Sequence, residues 1–95
     1  MRLQKVSVTE LQEMVRNRPV APLRVGATNY PDRRAGEYGK EYSEQATMYY
    51  AKTENMKTAE NQLLAICVER SGCCFNVHQQ SNAEAAPGYI YAIFP

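Results

Sequence analysis

The sequence predicts an α/β (α+β) domain built on a small, mostly antiparallel sheet flanked by helices. Three observations lead there. Apolar residues recur at helical spacing in two segments, short runs rich in β-branched and aromatic residues lie between and after them, and the segments follow the order α-β-α-β-α-β-β. A chain of 95 residues, 44% of them apolar, has material for one modest core, so residues 1–95 are expected to form a single domain.

The first helix is expected from Ser7 to Arg18. Ser7 or Thr9 is suited to cap it, with Glu10 or Gln12 three residues on. Val8, Leu11, Met14 and Val15 fall on one stripe, and Pro19 and Pro22 end it. Leu23 to Thr28 reads as a short strand, with Leu23, Val25 and Ala27 on one side and Arg24, Gly26 and Thr28 on the other. Asn29-Tyr30-Pro31-Asp32 turns the chain into a short second helix, since proline suits the first helical position and aspartate the positive end of the helix dipole. Ala46 to Lys52 has strand composition.

From Asn55 a core helix begins, with Met56, Ala59, Leu63 and Cys67 repeating and Leu64, Ile66 and Val68 widening the apolar face; Ser71-Gly72 stops it. Two strands complete the reading, Cys74 to His78 and Gly88 to Phe94. The last sets Ile90, Ala92 and Phe94 against Tyr89, Tyr91 and Ile93, apolar on both sides, which predicts a central or covered strand.

A net charge of +1 disfavours binding to nucleic acid by bulk electrostatics. The total conceals an asymmetry: residues 1–34 carry seven basic against three acidic side chains, +4, and residues 35–95 carry four against seven, −3. Three cysteines, two of them adjacent, lack both disulfide and zinc-ligand spacing and are expected to be reduced. The longest apolar stretch, Tyr89 to Phe94, is far too short to span a bilayer, and no leader-like segment opens the chain. A cytoplasmic or nuclear protein without a membrane partner is the expectation.

The run from Arg24 to Arg34, RVGATNYPDRR, followed by Tyr38, resembles the second half of the GIY-YIG nuclease signature, in the branch with a basic residue before the Ile/Val-Gly pair. Gly26, Arg34 and Tyr38 occupy the places of that signature's glycine, arginine and following tyrosine. Further on, Ala59-Glu60 with Leu63-Leu64 resembles the family's metal-holding helix, and Phe75-Asn76-Val77 its asparagine element. The resemblance covers roughly residues 23 to 78. The strand bearing the family's first tyrosine is missing before Arg24, whereas Gly88-Tyr89-Ile90-Tyr91-Ala92-Ile93 looks like it. A circular permutation is therefore expected, in which the C-terminal strand pairs antiparallel with Leu23 to Thr28 and delivers Tyr91 or Tyr89.

The resemblance implies metal-dependent hydrolysis of phosphodiesters in nucleic acid. Arg34, Tyr38 and Tyr91 would be catalytic, with Arg34 clamping the phosphate and Tyr91 or Tyr38 orienting or deprotonating the water. Glu60 would hold Mg²⁺ or Mn²⁺, and Arg24, Arg33 and Asn76 would contact nucleic acid. The alternative is a GIY-YIG-like module without catalysis that binds nucleic acid or a protein. A homodimer through the tyrosine-rich last strand is a further expectation, because so small a core gives limited stability.

Overall fold

The computed structural model describes residues 1–70 and 81–95. Four strands and three helices follow one another as β1 (Arg2–Lys5), α1 (Val8–Asn17), β2 (Arg24–Thr28), α2 (Pro31–Tyr38), β3 (Thr47–Thr53), α3 (Met56–Glu69) and β4 (Gly88–Phe94). The strands form one mixed sheet in the order β1-β3-β4-β2. β4 runs antiparallel to both of its neighbours, and β1 runs parallel to β3. The expected antiparallel pairing of the last strand with the Arg24 strand is present, with Gly26 opposite Tyr91 and Thr28 opposite Tyr89.

Local signals account for most boundaries. Ser7 and Glu10 close a capping box on α1, each accepting the other's backbone N–H. Pro31 opens α2, and the Asn55 side chain caps α3 by accepting from the Thr58 backbone.

The sheet is covered on both faces. Leu11 and Val15 of α1 and Ala59, Leu63, Leu64, Ile66 and Cys67 of α3 pack on Val25, Ala51, Ile90, Ala92 and Phe94. On the opposite face, Ala35 and Tyr38 of α2 meet Met48, Tyr91 and Ile93. β4 contributes alternate residues to the two clusters, as its two apolar sides predict. That burial also removes it as a dimer surface, since its side chains from Ile90 to Phe94 are almost wholly enclosed.

Three expectations need correction. β1 was not expected, for its four residues are all exposed and their sequence does not alternate. Leu23 precedes β2 and packs with the α2-side cluster, not beside Val25. Val68 is 57% exposed, because at 3.6 residues per turn it falls about 40° beyond Leu64, the edge of the buried arc of α3. The strand expected over 74–78 lies outside the described residues. Among the described residues no helix is long and apolar enough to cross a membrane.

Candidate functional site

The α2 face of the sheet gathers four of the residues singled out in the sequence. Alternation along β2 points Arg24 and Gly26 to this side. Because Gly26 has no side chain, the Tyr91 ring lies directly over it: a Cβ there would stand 2.5 Å from the Tyr91 hydroxyl. The position two residues after the motif's basic residue must therefore be glycine for Tyr91 to occupy this place.

Tyr38 lies at the last turn of α2, one turn after Arg34, so both face the sheet. Its hydroxyl accepts a 2.6 Å hydrogen bond from Arg24 Nη1 and a 3.3 Å bond from the Tyr91 hydroxyl. The Arg24 guanidinium sits 4.8 Å from the Tyr38 ring centroid, and that of Arg34 5.9 Å from it. Tyr42 closes the cluster with its ring edge-on to Tyr38 at 5.9 Å.

The two phenols are pushed apart in acidity. Burial by itself would raise the Tyr38 pKa, but hydrogen bonds from Tyr91, Arg34 and Arg24 outweigh it and hold Tyr38 below the usual tyrosine value. Tyr91 is raised, first by burial and then by its bond to Tyr38. The first proton to leave this pair therefore leaves Tyr38, with Tyr91 still a donor to the resulting oxyanion. Arg24 loses by burial but is raised overall through its bond to Tyr38, and Arg34 is raised chiefly by Tyr38, so both stay cationic.

Of the remaining expected residues, Arg33 lies beside this centre and Glu60 does not. Arg33 is 78% exposed and pairs with Glu37 at 3.6 Å, while Arg34 approaches the other carboxylate oxygen of Glu37 at 3.8 Å. Glu37 escaped the sequence reading, although its spacing of three and four from the two arginines carries the signal. Glu60 belongs to α3, on the arc between Met56 and Leu64; it is half-buried, and its carboxylate accepts a short hydrogen bond from Ser81. The expected convergence of Glu60 with the tyrosines and arginines is thus corrected: α3 covers the opposite face of the sheet from α2, and Glu60 bonds to Ser81 there. Asn76 lies outside the described residues.

Two hollows open beside the cluster. One of about 250 Å³ is lined by Thr28, Tyr30, Arg33, Arg34 and Glu37. The other, about 490 Å³, is lined by Asn29, Tyr30, Pro31, Asp32, Arg33 and Tyr89. They share Tyr30 and Arg33, so they adjoin.

Among the described residues no group of three or more His, Cys, Asp or Glu side chains converges as a metal site. Comparison with known proteins finds no matching family model, no matching curated protein and no matching solved structure.

Proposed function

We propose that this chain is a circularly permuted GIY-YIG-like domain that hydrolyses phosphodiester bonds in nucleic acid. The observation that carries the reading is the Tyr38 hydroxyl, held by Arg24 and Tyr91 and attended by Arg34. Two guanidiniums at one spot suit a phosphate, which accepts forked hydrogen bonds, and a phenol of lowered pKa beside them suits proton abstraction from water. The antiparallel β2–β4 pairing and the delivery of Tyr91 to Tyr38 support the permutation.

In this reading Arg24 and Arg34 bind the non-bridging phosphate oxygens. Ionised Tyr38 takes a proton from the attacking water as a new P–O bond forms and the bond to the leaving sugar oxygen breaks, that oxygen taking a proton from solvent water to leave as a hydroxyl. Tyr91 donates to Tyr38 and keeps its oxygen aimed. Both arginines then neutralise charge that grows on the phosphorus-bound oxygens in the transition state.

The family resemblance adds Mg²⁺ or Mn²⁺ at Glu60. The placement does not fit that role: α3 covers the opposite face of the sheet from Tyr38 and Tyr91, and the Glu60 carboxylate accepts from Ser81, so no step of the reaction is drawn through a metal at Glu60.

The test is cleavage of plasmid and oligonucleotide DNA with Mg²⁺ or Mn²⁺. Cleavage by the wild type is expected, falling about 10²-fold or more in Tyr38→Phe and Arg34→Ala. Cleavage that survives both Arg34→Ala and Tyr38→Phe overturns the reading. The engagement of Glu60 with Ser81 favours a second one, a binding module without catalysis. Its signature is salt-sensitive nucleic-acid binding, weakened by Arg34→Ala, with no cleavage by the wild type.

A further inference from the structure

We infer that the larger hollow beside α2 is a subsite for one unpaired nucleobase, so that the preferred substrate is single-stranded or locally opened nucleic acid. The inference rests on the phosphodiester reading and specifies its substrate.

Tyr30 is the first observation. It occupies the N-cap position of α2, where Ser, Thr, Asp or Asn would serve the helix, and its side chain makes no cap hydrogen bond. Its backbone N–H is satisfied by the Thr28 hydroxyl at 3.0 Å, and the residue is 65% exposed. A large aromatic ring is thus held at the surface with no structural work in the helix start.

Tyr89 is the second. It lines the same hollow, and its ring packs edge-on to Tyr50 with centroids 5.8 Å apart, giving a second aromatic wall held in place by a neighbour. Arg33 adds a planar guanidinium at the rim, and the Asn29 amide and Asp32 carboxylate supply donors and acceptors for a base edge. Aromatic walls with a cationic rim are the chemistry by which proteins hold unstacked bases.

Position supplies the third. Tyr30 and Arg33 also line the smaller hollow into which Arg34 opens, and Arg34 attends Tyr38. A base in the larger hollow therefore belongs to a nucleotide next to the phosphate at the arginines. Bases stacked and paired within a duplex do not present a free face to Tyr30, which is why the subsite selects unpaired ones.

The experiment measures binding of a single-stranded oligonucleotide carrying 2-aminopurine, and of the same strand in a duplex, by fluorescence in the absence of divalent metal. The wild type is expected to bind the single strand more tightly and to quench its fluorescence. Tyr30→Ala should weaken single-strand binding about five- to hundredfold with its thermal midpoint unchanged, and Tyr30→Phe should restore it. Unchanged binding in Tyr30→Ala, alongside weakened binding in Arg34→Ala, overturns the subsite and leaves the phosphodiester reading standing. Equal affinity for duplex and single strand also overturns the subsite. Failure of the wild type to bind either oligonucleotide overturns both.

Discussion

Tyr38 concentrates the chemistry of this fold, and its acidity gives a pH signature. In the proposed reaction Tyr38 is a base that works when ionised, so cleavage should rise with pH and level off through a pKa below the ordinary tyrosine value of about 10. Removing Arg24's charge with Arg24→Gln takes away one of the causes that lower it, so the rising limb should move to higher pH. Stability follows the same sign. A pKa lower in the folded than in the unfolded chain makes Tyr38's contribution grow as pH climbs towards about 10 and vanish as pH falls through the folded value. Ultraviolet titration of tyrosinate, wild type against Tyr38→Phe, reads the limb directly.

Gly26 offers a sharper test of geometry. Gly26→Ala sets a methyl group against the Tyr91 ring and hydroxyl, which must move away from Tyr38. Cleavage should fall at least about tenfold, and the tyrosinate titration should shift, in a protein that still unfolds cooperatively. The sequence made Arg24, Arg34, Tyr38 and Tyr91 legible through the motif's spacing. It did not reveal that Arg24 bonds to Tyr38, because that contact depends on α2 folding back over β2.

Among the elements, the helices and the inner strands were readable because each carries a periodic apolar face and a chemically defined start. Ser7, Pro31 and Asn55 mark the three helix starts by side chain or ring chemistry. β1 was unreadable for the converse reason: Arg2, Leu3, Gln4 and Lys5 bury little, and their strand character comes from the backbone of β3. One element end is secured from far away in sequence. Arg70 Nη1 donates to the Val15 carbonyl at 2.7 Å and Nη2 to the Arg18 carbonyl at 2.6 Å, bringing positive charge to the C-terminal end of α1. Arg70→Ala should lower unfolding free energy by about 2 kcal/mol in urea denaturation, with cleavage little changed.

For the whole molecule, the charge asymmetry of the sequence becomes a local one in space. Arg24 and Arg34 meet at the Tyr38 ring, Arg33 stands beside Arg34 on α2, and Glu37 partly offsets Arg33 and Arg34. With about three phosphate contacts, log K for single-stranded DNA should fall against log salt with a slope near −2, far shallower than that of a protein held by bulk positive charge. Glu37→Gln removes the carboxylate that competes for Arg33 and Arg34. It should tighten binding at low salt while changing stability by less than about 0.5 kcal/mol, since the pair is exposed.

β4 lies between β2 and β3 yet follows both in the chain. Arg24 pairs with Ile93 and Thr28 with Tyr89, across most of the sequence, and among the described residues β2 has no other strand neighbour. During synthesis, then, the arginine-bearing strand waits for this partner until the tyrosines emerge. Closure of so long a loop belongs late in folding. The cluster that lowers Tyr38 and the sheet that carries it come into being in the same step, so a nascent chain that has not yet released its last strand holds no half-built version of it.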